Sequence, residues 1–193
     1  TNEKIKIEKI QMLGEEEKNK LIHGFNNTKH NFNPNETIHK MISDRANVAK
    51  NDIALVFENE KLTYTELEQK TNSLAKVLKD KGAGTNDVIA IMVPRSLEML
   101  VGIIGVLKSG ASYMPVDISY PKERIEYMLE NSNAKFVLGA DDSIVDNDKY
   151  INISLKENDI YENKNVKIDN INTGEDVAYL IYKKAQNKWI KWI

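Results

Sequence analysis

VIAIMVPRSLEMLVGIIGVLKSGASYMPVD, residues 88–117, decides the fold class. Val88 to Val93 is a continuous apolar strand, and Pro94 ends it because proline has no N–H to offer a ladder. Ser96 then caps a helix that runs to Lys108, its hydroxyl placed to accept from an N–H of the first turn. Gly102 and Gly105 within that helix permit close packing against a sheet or another helix. Gly110 ends it.

The same alternation continues outward on both sides. Upstream, Ile53 to Phe57 is a compact apolar strand, followed by a turn at Asn59-Glu60 and an extended piece to Thr63. Thr63 stands three residues before Glu66, the pattern of a capping box. Leu67, Leu74, Ala75 and Leu78 recur at helical spacing, and Gly82 supplies a stop. Downstream, Pro121 suits the first position of a helix that turns Ile125, Met128 and Leu129 inward. Lys135 to Leu138 resumes a strand. Gly139 to Glu175 is rich in Asp, Asn and Lys and reads as peripheral structure, with one extended piece near Tyr150 to Leu155. Alternating strands and helices predict an α/β fold with a mainly parallel sheet flanked by helices.

Asp176 to Tyr182, DVAYLIY, is an apolar strand of the kind that feeds a phosphate-binding loop. The residues that follow are KKAQNKWIKWI, with no glycine and both tryptophans of the chain. A phosphate cradle needs backbone N–H groups converging on an anion at close approach, and this segment does not supply them. Trp189 and Trp192, spaced among lysines, form either an amphipathic stripe for a membrane or partner, or a short tail with no such role. The second reading is preferred, because nothing upstream prepares for such a helix.

Residues 1–35 are polar and read as an interdomain linker. One short helix is predicted from about Gly14 to Phe25, with Leu13, Leu21, Ile22 and Phe25 as its apolar stripe. A second helix is predicted from Thr37, with Ile38, Met41, Ile42 and Ala46 on one face. The chain opens at Thr1 and reads as a segment of a longer polypeptide.

Composition narrows the classes. The 193 residues are 41% hydrophobic and 29% charged, as expected of a soluble globular protein. Lys and Arg number 27 against 29 Asp and Glu, so the overall balance favours neither nucleic acid nor an anionic membrane as partner. Cysteine is absent, which excludes disulfides, thiolate metal sites and a cysteine nucleophile. The longest apolar run, Leu97 to Leu107, is too short to span a bilayer and contains Glu98. No signal peptide is discernible, and a cytoplasmic protein is expected.

Few residues carry chemistry on their own. His23, His30 and His39 match no common ligand spacing and read as structural. Ser73, Ser96, Ser109 and Ser112 lie in no G-x-S-x-G turn. Gly82-Ala83-Gly84 follows a helix and lacks a third glycine, so it reads as a helix stop, not a dinucleotide loop. No Walker-type loop occurs. Asp117, after Pro115 at a strand end, is either a ligand-facing carboxylate or a turn-forming one, and the latter is the commoner role. No catalytic, cofactor-binding or metal-binding residue is assigned.

The ordered motifs resemble one family, the adenylation domains of nonribosomal peptide synthetases, within the AMP-binding, acyl-adenylate-forming superfamily. Leu62 to Leu67 (LTYTEL) resembles its first core motif, and Leu107 to Asp117 (LKSGASYMPVD) its second. Tyr120 to Ile125 (YPKERI) is similar to the YPxERI that follows, and RSLEMLVGIIGVLKSG agrees in order and spacing. MLGEEEKNKLIHGFNNTK resembles the linker after a condensation domain, and TIHKMISDRA the opening helix. The likeness spans roughly residues 8–182. It implies a linker at 1–35, the N-terminal portion of an adenylation domain at 36–182, and a tail outside the family pattern at 183–193.

The resemblance further implies an intact domain that binds ATP, Mg²⁺ and an amino acid. It forms an aminoacyl-adenylate and passes the acyl group to the phosphopantetheine thiol of a carrier domain. In such relatives DVAYLIY leads into a TSGTTGxPKG-like loop, whereas here Tyr182 is followed by Lys183. Tyr64 and Leu67 would anchor a helix, and Gly110, Pro115 and Asp117 would shape a turn. The expectation is an incomplete adenylation domain, catalytically inactive alone, its likeness broken by a frameshift or premature end. The alternative is a non-catalytic module that docks on a condensation domain or a complementary fragment through unpaired sheet edges. An unrelated nucleotide-binding α/β protein is a third reading, for which the sequence offers no loop.

Overall fold

Along β3 (Val88–Met92) the side chains alternate between two cores. Ile89 and Ile91 enter one and Ala90 and Met92 the other, all of them buried. A strand apolar on every residue is what a sheet covered on both faces requires. The computed structural model describes residues 12–31, 33–140, 149–163, 166–185 and 188–192. They fall into two compact units, Thr1–Asn33 and Pro34–Ile193.

In the first unit α1 (Glu15–Asn19) continues into a π-helical turn, Lys20–Gly24. Leu13, Leu21, Ile22 and Phe25, the expected stripe, are all exposed.

The second unit begins with α2 (Ile38–Val48). Its buried face is His39 and Ala46, with Ile42 packed at the core margin, whereas Ile38 and Met41 are exposed. The expected face is therefore rotated, because a polar histidine was not counted as a core residue. β1 (Ile53–Phe57) and β2 (Glu60–Thr63) form an antiparallel hairpin. Thr63 then caps α3 (Tyr64–Asp80) with both halves of a capping box: Glu66 N–H donates to its hydroxyl and its own N–H donates to the Glu66 carboxylate.

The main sheet is parallel, in the order β4 (Ser112–Pro115), β3, β5 (Phe136–Gly139), β6 (Ile151–Ser154). Beside β4, residues 178–180 add a further parallel position. Tyr113 N–H donates to Ala178 C=O and Leu180 N–H to Tyr113 C=O. The chain continues into β7 (Ile181–Ala185), which turns back antiparallel through β8 (Lys188–Trp192). The stretch expected to be peripheral thus contributes β6 to the sheet, and buries Leu155 and Ile160 in the core. Its polar composition hid those members.

Helix α4 (Leu97–Ser109) lies between α3 and the sheet. A Cβ on Gly105 would sit 2.6 Å from Leu74 Cδ2, and one on Gly102 3.0 Å from Leu155 Cδ1, so both glycines permit the approach their spacing implied. α5 (Lys122–Asn131) covers the opposite face with Met128 and Leu129. Pro121 is its N-cap, one residue before the position expected.

Candidate functional site

The two crossovers leave the sheet in opposite directions. β3 runs through Val93–Arg95 into α4 on one face, and β4 runs through Val116–Tyr120 into α5 on the other. In an open parallel sheet such a divergence leaves a crevice at the carboxyl ends of the strands, the usual ligand position. A cavity of about 430 Å³ lies there, with Pro94, Arg95, Met99, Asp117, Tyr120 and Tyr182 in its lining.

Its chemistry is sparse. Arg95 is exposed at the turn. Asp117 accepts a hydrogen bond from Ser119 N–H at 2.9 Å, which holds its carboxyl below the ordinary carboxylate value. It therefore performs the turn-forming role while bordering the cavity. The Arg124 guanidinium lies 3.3 Å from the centroid of the Tyr120 ring, fixing the start of α5 against the loop. Tyr182 donates its hydroxyl proton to Asn131 Oδ1 at 2.8 Å, and burial, then neighbouring Tyr127, pushes that hydroxyl up to about 12. The remaining lining, Ile91, Val93, Pro115, Val116, Ile118, Met128 and Ile181, is apolar.

ATP and Mg²⁺, the groups the resemblance implies, are not matched by this donor set. A triphosphate calls for several converging donors or cations, and the charged groups of the lining are one arginine, Arg95, and one carboxylate, Asp117. Among the described residues no group of three or more His, Asp or Glu side chains is placed to hold a metal ion.

The other residues weighed from sequence are engaged elsewhere. His39 is buried and bonded to Asn170 Oδ1 at 2.7 Å; burial, and to a lesser degree Lys108, lower its pKa, against the pull of that bond. Ser73 donates to Ile160 C=O, Ser96 caps α4, Ser109 donates to Val106 C=O and Ser112 to Asp87 C=O. Gly82, at φ +89°, is the stop expected after α3. His23 and His30 are exposed.

Sequence reasoning passed over the strongest polar cluster. Lys108 is only 4% exposed and donates to Glu68 Oε2 at 2.6 Å and Asn72 Oδ1 at 2.7 Å. Ser43 donates to the same carboxylate, and Asn72 donates to Val166 C=O, so α2, α3, α4 and the chain at Val166 meet at one ion pair. Burial lowers the Lys108 pKa and Glu68 opposes it. The legible signal was spacing: Lys108 follows Val101 and Ile104 on the apolar face of its helix.

Comparison with known proteins joins these features to a family. The model of the family described as AMP-binding enzyme matches residues 42–182. Bacitracin synthase 2 of Bacillus licheniformis is 37% identical over 181 residues, covering 94% of this chain and 7% of its own length. Gramicidin S synthase 2 of Brevibacillus brevis is 39% identical over 184 residues, 94% of this chain and 4% of its own. The chain therefore spans a small fraction of these curated relatives. Among solved structures, the N-terminal subdomain of Klebsiella oxytoca NpsA superposes with a TM-score of 0.71 at 21% identity, over 82% of this chain and 42% of that one. The nonribosomal peptide synthetase FmoA3 gives 0.75 at 21%, over 80% and 17%. At such identities the structural likeness speaks for the fold.

Proposed function

The chain belongs to the AMP-binding enzyme family, as the N-terminal part of a nonribosomal peptide synthetase adenylation domain, and on that footing we propose that it frames an amino-acid-activating site. The complete domain would use ATP and Mg²⁺ to make an aminoacyl-adenylate, then load it as a thioester on the phosphopantetheine of a carrier domain. Residues 1–35 form the linker from a condensation domain, 36–182 the adenylation portion, and 183–193 a segment outside the family pattern. Cytoplasmic peptide assembly follows from that reading.

These 193 residues by themselves do not catalyse adenylation. One observation carries this: the crevice at the carboxyl ends of β3 and β4 holds one arginine and a turn-engaged Asp117, while the chain beyond Tyr182 folds back as a hairpin. The test is amino-acid-dependent ATP–pyrophosphate exchange by the purified chain. No exchange above background is expected with any of the common amino acids, and exchange with one of them sinks the reading. A second reading, docking on a condensation domain, is favoured by the exposed Leu13, Leu21, Ile22 and Phe25 of the N-terminal unit. Calorimetric titration with a condensation domain tests it, and absence of heat removes it.

A further inference from the structure

Residues 166–174 belong to no helix or strand, yet hydrogen bonds hold them along their length. Val166 C=O accepts from Asn72 of α3 at 3.0 Å, and Asn170 Oδ1 lies 2.7 Å from His39 Nε2 of α2. Asn172 Nδ2 donates to Gly110 C=O, just beyond α4, at 3.1 Å, and Gly174 N–H donates to Pro34 C=O at 2.9 Å. Residues 178–180 follow and add the last parallel position beside β4, with Tyr182 next to them in the crevice lining. The strap thus tethers the chain that completes the crevice.

Two of its anchors rest on buried titratable groups. Asn170 Oδ1 also accepts from Asn172 N–H at 3.2 Å, so it is the acceptor for His39, and the neutral imidazole carries its proton on Nε2. Among the described residues His39 makes its bonds through Nε2 alone, which leaves Nδ1 to take a second proton without a partner. Lys108 of α4 is the charged group that acts on it, and Lys108 is already matched to Glu68 of α3. Of the charges around the cavity that His39 lines, Glu36 is exposed and Asp176 is engaged by the Thr173 N–H and hydroxyl. Lys40, beside His39 on α2, pairs with Asp44. A protonated His39 therefore adds a second cation to a buried cluster whose one carboxylate is Glu68.

We propose that this cluster is an acid-operated latch: protonation of His39 beside Lys108 releases residues 166–174 from α2, α3 and α4. Burial lowers the His39 pKa most, the Asn170 bond opposes it, and Lys108 adds to the lowering. Opening the strap hydrates the imidazole and returns it to its ordinary 6.5, so the proton favours the open strap below that value and leaves the closed one undisturbed above it.

The test is backbone hydrogen exchange of the full chain, read by mass spectrometry on peptides spanning 166–174 and 97–109. It runs from about pH 7.5 to about pH 5, the range in which histidine titrates, with the intrinsic pH dependence of exchange divided out. Strap protection should fall with acid by up to about tenfold per pH unit, the limit for one proton, while α4 stays protected. His39→Gln keeps a donor for Asn170 but cannot charge, and should hold strap protection level across the range. Glu68→Leu/Lys108→Met removes the neighbouring cation together with its partner and should shrink the acid-induced loss. Circular dichroism checks that both variants fold. Level protection in the parent chain, an equal loss in His39→Gln, an undiminished loss in the folded paired variant, or loss in α4 along with the strap overturns the proposal. The readout is independent of pyrophosphate exchange, so the adenylation-domain reading stands or falls separately.

Discussion

Among the described residues, two helices, α3 and α4, are layered over Ile89, Ile91, Phe136 and Leu138 on one face of the parallel sheet, and α5 covers Ala90, Met92 and Val137 on the other. The first face is held by close backbone approach at Gly105 and by the buried Lys108–Glu68 pair. The second is held by one helix and by the Tyr182 hydroxyl on Asn131. The crevice draws on both faces: α5 and the loop before it border it, and so do Arg95 and Met99 at the start of α4.

The largest difference between the faces should follow from Glu68→Ala. It leaves the Lys108 ammonium buried without its counter-charge, a loss of about 3 kcal/mol. Urea denaturation measures it, and the double substitution Glu68→Leu/Lys108→Met should recover most of the loss. A cost near zero would mean that Asn72 or solvent satisfies Lys108 alone. Gly105→Val comes next, at about 2 kcal/mol, because its Cβ meets Leu74 2.6 Å away. Gly102→Ala meets only the tip of Leu155 and should cost about half as much or less. Equal costs would show that α3 moves aside freely.

On the α5 face, Tyr182→Phe should lose about 1 kcal/mol by thermal denaturation, since it removes one hydroxyl bond and leaves the ring packed. A loss as large as that of Glu68→Ala would erase the contrast. The smallest effect is the pH dependence carried by His39. Its folded pKa lies below the ordinary 6.5, so the unfolded chain binds the proton more readily in the window between the two. Its contribution is complete above 6.5 and is lost as pH falls toward the lowered folded value. His39→Gln should flatten the stability profile just below pH 6.5 relative to the parent chain; parallel profiles would remove His39 from the account.

Local signals were legible wherever a short stretch is sufficient to produce the feature. The Thr63–Glu66 box, the Ser96 cap, the Gly82 stop and the glycines of α4 each act within a turn or two. Their physics is that of the nearest neighbours. β6 was legible as an extended piece near Tyr150 to Leu155, but its place in the sheet was not, because that depends on Phe136 and Leu138 lying beside it, 15 residues away in register. The α2 face was misread because His39 becomes a core residue only when Asn170 arrives to bond it. The crevice was not visible because its lining is gathered from separate stretches, the ends of β3 and β4, α5 and Tyr182, that only the folded sheet brings together.

From its amino acids alone the chain specifies an α/β alternation, its helix ends and its family motifs, because those rest on composition, period and contiguous residues. Folding in three dimensions sends the two crossovers to opposite faces, brings Lys108 to Glu68, and turns the last residues into a hairpin instead of a helix. These outcomes depend on which distant groups share a buried space, and desolvation in that space, not local propensity, selects the partner.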